Sequence, residues 1–178
     1  ELGGKDPLVI LESANLEDAV TAALRGSVLA TGQACQSIEQ IYVARPLYSA
    51  FLDRLTVAAS ACRLNWPDIS KGEIGPIIFD QQARVLQRHL DDAVARGARI
   101  HTGGTIETHG GGLWMRPTVI SNVDHTMAVM MEETFGPILP VMPFDTVDEA
   151  VHLANDGPYG LSAAVFAATI DEIGRAHV

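Results

Sequence analysis

Cys35, in Thr31-Gly32-Gln33-Ala34-Cys35-Gln36-Ser37, is the side chain best suited to act as a nucleophile, and Glu1, which opens Glu1-Leu2-Gly3-Gly4-Lys5, is a carboxylate able to serve as a base. Cysteine attacks as its thiolate, so a thiol near its ordinary pKa of ~8.5 needs a local field that favours the anion. Gly32, read as the end of a helical run over residues 16–31, allows a turn whose successive backbone N–H groups point at the sulfur and could hold a developing oxyanion. The plainer alternative is that Cys35 is a small buried hydrophobe, and spacing alone does not separate the two.

A second chemical segment is Met131-Glu132-Glu133-Thr134-Phe135-Gly136-Pro137, where paired acids, an aromatic and a Gly-Pro turn precede an apolar run. A carboxylate accepts hydrogen bonds from adjacent sugar hydroxyls and an aromatic packs on a planar ring, a combination that suits a nucleoside. Its alternative is a solvated turn leading into a core strand. Other chemistries find no support in the pattern. The six histidines have no metal-ligand spacing, so a metal site is not expected; His152 reads as a solvated or satisfied side chain, His109 sits in the glycine-rich loop, and neither is given a catalytic role. Neither a Gly-x-Ser-x-Gly elbow, a Gly-x-Gly-x-x-Gly turn nor a P-loop occurs.

These residues need a scaffold. The chain has 178 residues and 47% hydrophobic content, enough for one packed domain, and a formal net charge of -10, which argues against nucleic acid as a partner. No stretch approaches the ~20 apolar residues that span a bilayer, so no membrane is expected. Cys35 and Cys62 lack Cys-x-x-Cys spacing, and with no secretory signal in view they fit a reducing, cytoplasmic compartment.

Residues 8–11 read as a strand, followed by a helix capped by Asn15 with apolar positions at helical period. A strand at 41–44 is followed by a helix opened by Pro46, and a helix over 80–96 stops at Gly97 before a strand at 98–101. Thr146-Val147-Asp148-Glu149 is a capping box between strands at 138–144 and 162–167, and the glycines at 103–104 and 110–112 bracket a loop or hairpin. Strands alternating with helices of these lengths predict an α/β fold, a mostly parallel sheet covered by helices.

Taken in order, Glu1-Leu2-Gly3-Gly4-Lys5, Gly32-Gln33-Ala34-Cys35, Glu133-Thr134-Phe135-Gly136-Pro137 and Leu153-Ala154-Asn155-Asp156 with Tyr159-Gly160-Leu161 resemble motifs of the aldehyde dehydrogenase superfamily, over nearly the whole chain. The resemblance implies an oxidoreductase that turns a small-molecule aldehyde into a carboxylic acid with NAD or NADP. It implies Cys35 as the nucleophile, passing through a thiohemiacetal and a thioester, and Glu1 as the general base that activates water. It assigns Glu133 and Phe135 to the nicotinamide ribose and ring, Gln82 to a further cofactor contact and Leu2 to a backbone contact with the nicotinamide amide.

Gln40 and Asp6 depart from the family pattern, in which Arg or Lys and Ser are frequent. The resemblance also places the dinucleotide-binding domain and the oxyanion-hole asparagine upstream of Glu1, and implies a homodimer or homotetramer. On that reading, residues 1–172 are an incomplete thiol-bearing catalytic domain, inactive by itself. Glu172-Ile173-Gly174-Arg175-Ala176-His177-Val178 reads like the in-frame translation of a common DNA sequencing adapter, so 173–178 are expected to be a non-native tail. The alternatives are the acylating branch of the family, which passes the thioester to coenzyme A and needs no hydrolytic carboxylate, and a non-enzymatic binding or structural protein with Cys35 buried.

Overall fold

The structure, a computed structural model, describes residues 3–175. Its main sheet is built from β1 (Asp6–Ile10), β2 (Ile38–Ala44), β3 (Arg99–Thr102), β6 (Thr118–Ser121), β7 (Ile138–Phe144) and β8 (Ala164–Phe166), in the order β3-β6-β7-β2-β1-β8. Every neighbouring pair is parallel except β3 with β6, which confirms the expected α/β class. A separate antiparallel hairpin of β4 (Ile106–His109) and β5 (Gly112–Met115) occupies the glycine-bracketed stretch.

The sheet is covered on both faces, and β1 and β2 are accordingly buried almost throughout, the pattern parallel strands require. Leu8, Ile10, Ile41 and Val43 face one layer, where they pack with Ala19 and Ala23 of α1 (Leu16–Val28) and Phe51 and Leu55 of α2 (Arg45–Ala61). Val9 and Tyr42, one residue out of step, face the other. There they meet Leu86 and Leu90 of α3 (Asp80–Ala95), Val129 and Met130 of α4 (Ala128–Met131) and Ala150 of α5 (Val147–Asn155). A short α6 (Ile170–Arg175) follows β8.

Local signals act much as their chemistry predicts. Asn15 caps α1 by accepting the N–H groups of Glu17 and Asp18, and Thr146 caps α5 by accepting that of Glu149. The capping box is displaced by one residue, since Glu149 accepts from the N–H of Asp145 rather than that of Thr146. The helical run expected over 16–31 is shorter than predicted: α1 ends at Val28, and Leu29–Gly32 is a 3-10 turn in which Ala30 (φ 52°) and Thr31 (φ 61°) are left-handed. β6 and α4, four residues each, were not expected from periodicity, because four residues fill too little of either period to show one.

This topology locates the site. β7, β2 and β1 are adjacent and parallel, so the segments that feed them all open at one edge of the sheet. Those segments are Gly3, Gly4 and Lys5 before β1, Cys35 and its loop before β2, and residues 133–137 before β7.

Candidate active site

Gly4 is the meeting point. A Cβ there would stand 1.9 Å from the carbonyl oxygen of Cys35, so the two backbones touch where only glycine fits. The Gly4 N–H donates to Glu133 Oε1 at 2.9 Å. Next to it, Gly3 adopts φ 74° with Tyr159 and the Glu133 carboxylate at 3.0–3.4 Å from where its Cβ would be. Cys35 and Glu133, far apart in sequence, are thus joined through one residue. Glu1 and Leu2 lie outside the described residues.

The Cys35 loop is clamped from below. Thr31 Oγ1 accepts the Gly75 N–H at 2.8 Å, which helps hold a β-branched residue in a conformation such residues rarely adopt. Gln33 bonds both ways to the same strand-like stretch, Nε2 donating to the Pro76 carbonyl and Oε1 accepting from the Ile78 N–H. A Cβ on Gly32 would lie 2.6 Å from the Gly136 carbonyl, so this loop also abuts the 133–137 segment.

Cys35 itself is partly buried, neither locked in the core nor fully in solvent. Among the described residues no backbone N–H donates to the sulfur, so the expected cradle is not seen there. Among the described residues the thiol's hydrogen bond is to Gln36 Oε1, at 3.5 Å, while the Ser37 N–H turns back to the Ala34 carbonyl. The Ser37 amide is committed to closing the turn onto Ala34 and so is not available to the sulfur.

The 133–137 segment is not a solvated turn. Thr134 is buried and held at three polar atoms: its N–H by Glu39 Oε2 (2.7 Å), its hydroxyl by Lys5 Nζ (2.8 Å) and its carbonyl by Gln82 Nε2 (2.6 Å). Phe135, left-handed at φ 49°, gives its N–H to Glu39 Oε1 at 2.7 Å. Phe135 and Glu133 therefore stand on a fixed backbone beside Gln82 and Tyr159, and these four line an open groove of about 450 Å³. Tyr159 closes that side, its hydroxyl accepting the Glu133 N–H at 3.3 Å. Gln82 lines the groove, and one bond from its amide nitrogen to the Thr134 carbonyl also ties it to the segment's backbone.

Sequence reasoning missed the charges beneath. Lys5 and Glu39 form a buried ion pair at 2.9 Å. Burial pulls the Lys5 ammonium below its ordinary range, against the opposing pull of Glu39. His89, fully buried on α3, sits 3.4 Å from the Thr134 hydroxyl and 3.5 Å from Glu132, and burial with the nearby charges of Lys5 and Arg88 lowers its pKa to about 4. The available signal was a lysine and a glutamate heading two apolar strands: if those strands pair in parallel, both charges are buried and must find each other.

The two departures from the family pattern are structural. Gln40 donates to the Met130 carbonyl at 2.7 Å, and Asp6 accepts from the Ser162 N–H and hydroxyl. Asp156 is also placed by the fold, accepting from His125, whose other ring nitrogen meets the buried Tyr42 hydroxyl. Among the described residues there is no cluster able to hold a metal and no helix long and apolar enough to cross a membrane.

With this geometry in place, residues 1–177 match the sequence profile of the Aldehyde dehydrogenase family. Lactaldehyde dehydrogenase of Escherichia coli is 38% identical over 170 residues, covering 93% of this chain and 35% of that protein. The structure of PutA from Anabaena variabilis superposes with a TM-score of 0.97 at 56% identity, over 99% of this chain and 38% of that one. The NAD+ complex of aldehyde dehydrogenase from Bacillus cereus does so with a TM-score of 0.92 at 32% identity, over 98% of this chain and 35% of the other. The chain spans about a third of the length of these proteins.

Proposed function

Because the chain belongs to the aldehyde dehydrogenase family, we propose that it forms part of an enzyme that oxidises a small aldehyde to a carboxylic acid with NAD or NADP, using Cys35 as nucleophile and Glu1 as base. The observation that carries this reading is the contact of Gly4 with both Cys35 and Glu133, which brings a thiol and a nucleoside-suited segment to one edge of the sheet.

A nicotinamide cofactor fits the residues present. Phe135 offers a partly exposed ring, Glu133 a carboxylate beside it, and the backbone beneath them is pinned by Glu39 and Gln82. Bound there, NAD or NADP supplies the hydride acceptor. The chain's residues do the remainder. Cys35 Sγ, as thiolate, adds to the carbonyl carbon, and the π pair moves to oxygen. With a hydride acceptor bound, Cys35 Sγ would carry the oxidised carbon as an acyl group, a thioester. Glu1 then takes a proton from water, the hydroxide adds to the acyl carbon, and the Cys35 thiolate departs, leaving the carboxylic acid.

The test uses the full-length protein with a panel of aldehydes. Formation of reduced nicotinamide together with release of free acid, in the absence of coenzyme A, is the expected result. Release that requires coenzyme A would move the protein to the acylating branch, and no turnover of any aldehyde with either cofactor would overturn the proposal.

A further inference from the structure

We propose that Glu39 is a positioning residue: its carboxylate, shared between the backbone amides of Thr134 and Phe135 and the ammonium of Lys5, sets where Phe135 and Glu133 stand relative to Cys35. The inference rests on the reading that those two residues face the cofactor.

Both oxygens of Glu39 are used. Oε2 accepts from the Thr134 N–H (2.7 Å) and from Lys5 Nζ (2.9 Å), and Oε1 from the Phe135 N–H (2.7 Å). Two successive amides aimed at one carboxylate form a small anion-binding concavity, a shape that needs an unusual backbone, and Phe135 supplies it at φ 49°. A bulky aromatic does not choose that conformation unaided, so Glu39 is what offsets its cost. Further bonds tie in the groups around the carboxylate: Lys5 also binds the Thr134 hydroxyl, His89 approaches that hydroxyl at 3.4 Å, and Gln82 holds the Thr134 carbonyl.

The connectivity gives the arrangement its purpose. Glu39 is four residues beyond Cys35, and Lys5 directly follows Gly4, which touches Cys35 and binds Glu133. A single buried ion pair therefore couples the thiol loop, the start of β1 and the cofactor-facing segment. Stability alone would not call for it, because a buried ion pair is often matched or bettered by apolar residues of the same volume. Two backbone amides bound to one side chain fix geometry instead.

Glu39→Gln in the full-length protein tests this. The substitution keeps the side chain's size but turns one acceptor into a donor, so one of the two amides loses its partner. In the absence of cofactor, hydrogen–deuterium exchange of the peptide spanning residues 133–136 should accelerate about tenfold or more, with a similar rise in the Kd for reduced nicotinamide measured by fluorescence titration. The rate of Cys35 alkylation should change by less than about twofold, since no bond to Cys35 is removed. Where Glu39→Gln alone does not fold, Lys5→Met/Glu39→Gln removes both buried charges while keeping one acceptor, and the same shifts are expected. A folded variant with wild-type exchange at 133–136 and wild-type cofactor affinity, whatever its melting temperature, would overturn the proposal. If the wild-type protein binds no reduced nicotinamide, the cofactor reading fails, and exchange alone still decides whether Glu39 holds the segment.

Discussion

Gly4 lies against the carbonyl oxygen of Cys35, 1.9 Å from where a Cβ at position 4 would be. The obstructing atom is backbone, so no rotamer change relieves it, and either β1 or the Cys35 loop must move. Gly4→Ala should destabilise the fold by about 1–3 kcal/mol, the usual range for overpacking. In the full-length protein it should also lower turnover by about a hundredfold, as a displacement of about 1 Å at a reacting centre does. Denaturant midpoints and steady-state rates measure both, and a variant with wild-type values would show that the two backbones do not meet.

The two thiols should react differently with iodoacetamide. Burial, with a smaller contribution from Glu73, pushes the Cys62 thiol up, so its thiolate is scarcer near neutral pH than that of an ordinary thiol and its labelling should be slow there. Cys62 Sγ also donates to the Ala58 carbonyl within α2. Cys35 sits on a partly buried loop and should be labelled first, with Cys35→Ser abolishing both the fast phase and, in the full-length protein, aldehyde oxidation. Peptide mapping after a short pulse at neutral pH would decide, and preferential labelling of Cys62 would remove Cys35 from the role of nucleophile.

What could be read ahead of the structure was whatever depends on neighbours in sequence. The Asn15 and Thr146 caps, the strand Ile138–Phe144 and the stop at Gly97 each rest on a few adjacent residues, and each is where local chemistry put it. Cys35 and Glu133 were visible as chemically distinctive types, but their meeting was not, because it depends on β7, β2 and β1 lying side by side in parallel. Glu39 and His89 escaped notice for a related reason. A charge reads as surface until the sheet that buries it is assembled, and the helix expected to reach Thr31 ends at Val28, with Thr31 left-handed and its hydroxyl bonded to the distant Gly75 N–H, a contact invisible to local pattern.

Asn15→Ala isolates one of the locally legible features. The Asn15 side chain satisfies two amides that α1 cannot pair internally, at 3.0 and 3.2 Å, and Glu17 and Asp18 add favourable charge to the same end. The substitution should cost about 1 kcal/mol, and Asn15→Asp should cost much less. Equal losses for both variants in urea unfolding would assign the effect to something other than the cap.

His89 should give the fold a pH dependence of known sign. Burial chiefly, then the positive charges of Lys5 and Arg88, lower its pKa from 6.5 to about 4 in the folded protein, with Glu132 partly opposing them. The folded state therefore keeps the ring neutral at pH values where the unfolded chain has already bound a proton. Stability is unaffected above about pH 6.5, falls as the pH drops from there to about 4, and has lost on the order of 3 kcal/mol from this group at the bottom of that window. His101, lowered mainly by burial, contributes in the same direction. Glu132, held below its usual range by Arg88, acts only at lower pH, so the upper part of the window belongs to the histidines. Urea unfolding of wild type and His89→Gln at closely spaced pH values separates His89 from His101: the variant should lose most of the slope between about pH 6.5 and 4.5. A variant that keeps the full wild-type slope would place the titrating group elsewhere and leave His89 as a spectator beneath Thr134.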